Sequence, residues 1–201
     1  MPYRSFVSLV VLFLVGLGIT PLPASAGQGG ATPLQDSQSL EEKNRQYFSD
    51  LKVLTHEGQE ARFYTDLLKN KIVVISFFYT NCPTAQMSLV TLFKLQKMLE
   101  DQLETDIRLL SISVDPEKDT LKAVQEYTHK YNPKKGWMFL TGKKENLNTI
   151  NLKLGNRSLN PESHLQVFLL GNLKTGKWMR IPESAQAAAL IEGIRNLQSE
   201  K

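Results

Sequence analysis

The chain has 201 residues, 41 % of them hydrophobic and 22 % charged, with a formal net charge of +4 at pH 7. That length supports one domain with a sizeable core and is short for two. The nearest basic cluster, Lys134-Lys135 with Lys143-Lys144, is smaller than a nucleic-acid patch needs on one face and shows no evident stacking platform, so nucleic acid is not an expected partner; nor is there an internal repeat, a Walker-type glycine loop or a paired-cysteine zinc spacing.

Residues 1–26 open with Arg4, run almost wholly apolar from Phe6 to Gly18 and end in Ala24-Ser25-Ala26, a small-x-small cleavage pattern. This reads as a secretory signal peptide, and the expected mature chain begins at Gly27 in an exported or periplasmic compartment. The alternative is a retained anchor, although the apolar run falls short of the roughly 20 residues that span a bilayer. Residues 27–46 begin with a stretch rich in Gly, Gln, Ser, Thr and Pro that suits a flexible linker, with Glu41 to Phe48 as a helical or irregular lead-in to a domain over 47–201.

Leu51 to Leu54 and Ala61 to Phe63 bracket Glu57-Gly58 in a hairpin pattern. Thr65 to Leu68 forms a short turn or helix before Ile72 to Phe78, whose continuous apolar and β-branched run predicts a central strand covered on both faces. Pro83 suits the first turn of a helix, in which Leu89, Leu92, Phe93 and Leu99 recur at helical spacing. A second apolar strand, Ile107 to Val114, is closed by Asp115-Pro116, and a helix from Leu121 to Tyr131 follows with Asp119 or Thr120 near its cap. Trp137 to Leu140 predicts a strand, Glu145 to Leu154 a helix ended by Gly155, Leu165 to Leu170 and Lys177 to Ile181 an antiparallel pair, and Ser184 to Leu197 a final helix. Strands alternating with helices and ending in a hairpin and helix predict an α/β fold: a thioredoxin-like mixed sheet flanked by helices, with an N-terminal hairpin.

Cys82, the only cysteine, sits where the first central strand turns into a helix. Unpaired N–H groups and the positive end of a helix dipole favour thiolate and metal-binding character there, while a small apolar group filling the core is the plain alternative. A lone cysteine excludes an internal disulfide and with it internal dithiol oxidoreductase chemistry, so catalysis of that kind is not expected. Gln86 lies one turn further on, and His164 precedes the strand that would neighbour the first one. A thiolate with an imidazole suits copper or zinc, and a glutamine amide oxygen is a weak further ligand. An exposed helical glutamine and a backbone-bonded strand-edge histidine are the plain alternatives. Met87 reads as core, Asp115 as a helix cap or a group orienting His164, and His56 and His129 as surface groups.

The segments Phe78-Tyr-Thr-Asn-Cys82-Pro83, Ser113-Val-Asp115-Pro116-Glu117-Lys-Asp119-Thr120 and His164-Leu-Gln-Val-Phe-Leu-Leu-Gly171-Asn172, followed by Thr175-Gly176-Lys-Trp178, together resemble the Sco/SenC family of exported, thioredoxin-fold copper-handling proteins. The resemblance runs from about Leu51 to Leu197. It implies a copper site of two cysteines spaced C-x-x-x-C and a distant histidine, serving assembly of the copper centre of cytochrome oxidase or copper and thiol homeostasis. Cys82 matches the first cysteine and His164 the histidine, with a neighbouring register landing on Ser163; where the second cysteine is implied, this chain has Gln86.

The expected function is therefore that of an exported metallochaperone or copper sensor with a weakened Cys82, His164 and Gln86 site. Its expected partners are the copper ion and the copper subunit of cytochrome oxidase or another exported copper protein, and the membrane only if the leader is retained. The alternative is a thioredoxin-fold binding module with a vestigial metal site, acting by protein contact or a mixed disulfide at Cys82. A single-cysteine thiol peroxidase fits less well, because the upstream proline and nearby arginine of such sites are lacking.

Overall fold

The computed structural model describes residues 33–82, 85–158 and 160–199, with side chains described from residue 39 onward except at 85 and 86. The leader, residues 27–32 and Pro83 lie outside the described residues. A seven-stranded sheet is built from β1 (Lys52–Thr55), β2 (Glu60–Arg62), β3 (Ile72–Phe78), β4 (Ile107–Ser113), β5 (Trp137–Thr141), β6 (Val167–Asn172) and β7 (Lys177–Pro182), in the order β2-β1-β5-β4-β3-β6-β7. β3, β4 and β5 run parallel, while β6, β7, β1 and β2 add antiparallel pairings, which makes the sheet mixed. The helices are α1 (Pro33–Phe48), α2 (Ala85–Leu99), α3 (Leu121–Thr128), α4 (Lys144–Lys153) and α5 (Ala187–Ser199).

The two faces of the sheet carry separate cores, because side chains alternate along a strand. Ile72, Val74 and Phe78 of β3 pack with Leu89, Leu92, Leu95 and Leu99 of α2, Val124 of α3 and Leu190 and Ile194 of α5. Val73, Ile75 and Phe77 face the other way, onto Phe48 of α1 and Leu147 and Ile150 of α4. Every residue of β3 is buried, as its uninterrupted apolar run requires. The exception in polarity, Ser76, is satisfied across the sheet: its hydroxyl lies 3.0 Å from that of Ser111, which also accepts from the Trp137 indole at 3.1 Å.

Within the stretch whose composition suits a linker, the chain is helical from residue 33 onward. Leu40, Asn44 and Phe48 recur every four residues, so one face of α1 meets the domain: Phe48 sits 5.6 Å from Trp178, and Asn44 donates to the Leu173 carbonyl at 3.2 Å. Among the described residues no helix is long and apolar enough to cross a membrane.

Candidate metal centre

The carboxyl ends of β3 and β4 lie side by side, Phe78 opposite Ser113, and β6, antiparallel to β3, starts at that same end. Loops leaving parallel strands there are the usual place for a site. Three of them converge: Tyr79 to Cys82 after β3, Asp115 to Lys118 after β4, and Glu162 to Gln166 before β6. Together they line a cleft of about 440 Å³ holding Cys82, His164, Tyr79 and Asp115.

Cys82 is 5 % exposed and belongs both to the core and to the cleft wall. It precedes α2 by three residues, and its own N–H donates to the Tyr79 carbonyl at 3.0 Å, closing a turn at the end of β3. Burial, followed by a hydrogen bond with Cys82, pushes the Tyr79 phenol up to about 12, so it stays protonated beside the sulfur. The Tyr79 ring also stands edge-on to His164, with centroids 5.9 Å apart.

His164 is buried, whereas Ser163 is exposed at the end of a short 3-10 turn (Pro161–Ser163), so the histidine register is the one that enters the cleft. Its Nδ1 lies 2.7 Å from the Pro161 carbonyl, which only a protonated Nδ1 can satisfy. In the neutral imidazole Nε2 is then the lone-pair nitrogen, and it is buried without a hydrogen-bond partner among the described residues. An asparagine chain holds this loop: Asn151 donates to the Ser113 carbonyl at 3.0 Å, Asn156 to Asn151 at 3.3 Å, and the Leu165 N–H donates to Asn156 at 3.1 Å. Sequence reasoning missed both asparagines, which carry no local signature.

The most distinctive segment of the sequence, Ser113 to Thr120, is a brace. Thr120 caps α3, accepting from the Ala123 N–H at 3.3 Å. Asp119 is fully buried and accepts from the Ser113 hydroxyl at 2.6 Å and from the Thr80 N–H and hydroxyl at 3.0 and 2.8 Å. Asp115 is no cap through its side chain; it lines the cleft and pairs with Lys118 at 3.2 Å.

Two other expectations are corrected. Met87 is 67 % exposed, because it lies two residues from Leu89 and hence roughly 200° around the helix from that buried position. His56 is partly buried: its Nδ1 accepts from the Phe139 N–H at 3.4 Å, and burial lowers its pKa. His129 is exposed, as expected. The Gln86 side chain lies outside the described residues, although its backbone opens α2.

Among the described residues no three of His, Cys, Asp and Glu gather closely enough to hold an ion. What the cleft offers is one sulfur and one unpartnered imidazole nitrogen. This donor set fits copper better than a hard cation, which would need several oxygens.

A profile of the SCO1/SenC family matches residues 41–195. The chain belongs to that family, and its fold is thioredoxin-like. A SCO2-like protein of Rickettsia conorii is 27 % identical over 144 residues, covering 71 % of this chain and 67 % of the relative. The SCO1 protein homolog of Bacillus subtilis is 30 % identical over 96 residues, 46 % of this chain and 49 % of that one. The chain thus matches from about half to about two thirds of the length of these curated relatives. Among solved structures, copper-bound ScoI of Arabidopsis thaliana superposes with a TM-score of 0.62 at 20 % identity, covering 77 % of this chain and 99 % of that one. A SCO1/SenC family lipoprotein of Bacillus anthracis gives 0.63 at 22 %, covering 76 % and 95 %.

Proposed function

We propose that this chain is an exported copper-handling protein that takes one copper ion as cargo through Cys82 and His164, with Gln86 as a weak further donor, for assembly of a cytochrome oxidase copper centre or for copper homeostasis. The observation that carries the reading is the His164 imidazole, whose Nδ1 is tied to Pro161 and whose buried Nε2 has no hydrogen-bond partner among the described residues, in the cleft that Cys82 lines. A buried, unpaired polar atom is costly, and a bound ion removes that cost. Family context supports it: a neighbour of the same fold is described as a member of the Sco family of cytochrome c oxidase assembly proteins, and other neighbours were crystallised with copper bound.

Copper titration against a chelator of known affinity tests the reading. Wild type binds about one equivalent, and Cys82→Ser and His164→Ala each weaken binding by at least about tenfold, the scale of losing a ligand. Equal binding by all three proteins removes the copper assignment. Export is tested separately by intact mass, which places the mature N-terminus at Gly27; a species retaining residues 1–26 in the membrane fraction makes the leader an anchor.

A second reading is favoured by the exposed side of α2. Met87 and Val90, three residues apart on α2, are exposed apolar groups close in sequence to Cys82. A partner protein that docks there and reaches Cys82 needs no metal, and loss of copper binding without loss of partner capture supports that role.

A further inference from the structure

A second cleft, of about 780 Å³, shares no lining residue with the Cys82 cleft and is formed by α1, the end of α4 and strand β7. That volume is in the range of about 300–1,000 Å³ typical of ligand pockets. Its floor is apolar, with Trp178 against Phe48, and its lip carries Tyr47 and Leu152, which are 53 % and 51 % exposed. The charges are one-sided: Lys153, Arg157 and Arg180 line the cleft and no carboxylate does. Lys153 is occupied by the Tyr47 carbonyl and the Ser49 hydroxyl. Arg157 and Arg180 have no ion pair among the described residues.

The cleft also runs along an open edge of the sheet. β7 is the terminal strand and pairs only with β6, and among the described residues the backbone of 178–181 makes no hydrogen bond outside that ladder. The opposite edge, β2, is three residues long, whereas β7 has six. Lys177 and Pro182 close its ends, devices that restrict edge pairing, but the middle remains a row of alternating donors and acceptors.

We propose that this cleft binds an extended acidic peptide segment of a partner protein. The segment adds to the outer edge of β7, sets a bulky apolar side chain over Trp178 and places carboxylates at Arg157 and Arg180. Strand addition supplies main-chain hydrogen bonds, the groove selects the apolar side chain, and guanidinium groups select the carboxylates bidentately. An anionic lipid headgroup would use the arginines and leave the edge unsatisfied, which is why a peptide fits better. The proposal does not depend on copper.

The test is fluorescence anisotropy of the full chain with a labelled peptide alternating Glu with Phe and Leu. Saturable binding that weakens with salt is expected, reduced at least about tenfold by Leu152→Asp and by Arg157→Glu with Arg180→Glu, the scale of losing a charge-assisted contact. If circular dichroism shows the double variant misfolded, Arg157→Gln and Arg180→Gln are read singly, each expected to weaken binding severalfold. The same peptide with Lys for Glu, or with alternate backbone amides N-methylated, should bind at least about tenfold less tightly. Equal binding of either control peptide, or absence of binding, overturns the proposal. So does binding of phosphatidylglycerol vesicles through the same arginines without binding of the peptide, or a concentration-dependent dimer that Leu152→Asp abolishes.

Discussion

Asp119 holds Thr80 by two hydrogen bonds to one oxygen, from the Thr80 N–H at 3.0 Å and from its hydroxyl at 2.8 Å, across 39 residues of sequence. Thr80 is two residues from Cys82, so the carboxylate at the end of one loop fixes the start of the loop that carries the sulfur. Its other oxygen accepts from Ser113 at 2.6 Å.

Asp119→Ala should therefore cost about 3 kcal/mol in urea unfolding, since it leaves the buried Ser113 donor and the half-buried Thr80 donors without their acceptor. Asp119→Asn keeps an acceptor toward Thr80 and should cost less than half as much. The pH dependence has a definite sign. Burial raises the Asp119 carboxyl above its ordinary 3.8, with the Ser113 and Thr80 hydrogen bonds opposing it. A raised folded-state pKa means that the folded protein binds the proton more readily, so the stabilisation is full below 3.8 and is lost as pH rises through the folded value. Wild type should gain stability relative to Asp119→Asn as pH falls from neutral toward 3.8; a constant difference would show that the carboxyl is not shifted upward.

Gly171 and Trp178 explain a second signature in the same terms. They pair across β6 and β7, and a Cβ on Gly171 would lie 2.6 Å from the indole ring. Gly171→Ala should cost about 1–3 kcal/mol by overpacking, read as a lowered urea midpoint with unchanged slope. Trp178→Leu, which thins the ring away, should lessen that cost in the double variant; strict additivity would mean that the two do not touch.

The His164 tautomer is a third expectation. With Nδ1 2.7 Å from the Pro161 carbonyl, nitrogen-detected NMR of the metal-free protein should show the neutral imidazole as the Nδ1-protonated tautomer. Copper should then perturb Nε2. A neutral ring protonated on Nε2 instead would contradict the Nδ1 contact with Pro161 and place the lone pair away from the cleft.

Much of this arrangement was legible in the chain. β3 was readable to the residue because burial on both faces leaves an uninterrupted apolar run, and β4 to within one residue for the same reason. Cys82 and His164 were brought into one cleft by topology, since a strand-to-helix junction and the start of an antiparallel neighbour meet at one end of the sheet. What pattern could not show was long-range polar bracing. Asp119, Asn151 and Asn156 look like ordinary loop and helix residues, and their partners are distant in sequence. Helix α1 leaves a weak pattern because its apolar face is narrow, and Met87, apolar by type, stands roughly 200° around α2 from Leu89 on the exposed side.

The position where this chain departs from the family pattern gives the most discriminating substitution. Gln86 and Cys82 are four residues apart, and α2 is helical from Ala85, so Gln86→Cys puts a second thiol where the resemblance implies one without asking for a new backbone. If the Cys82 and His164 donors are competent, Cu(I) affinity should rise by well over tenfold, because a thiolate is a much softer and stronger ligand than an amide oxygen. Under oxidising conditions the variant should also form an internal disulfide, seen as loss of two hydrogens in intact mass and of both free thiols, which wild type with its single cysteine cannot do. A folded variant that neither tightens copper nor oxidises would mean that Cys82 is turned away from position 86. The copper reading would then be withdrawn in favour of a binding scaffold.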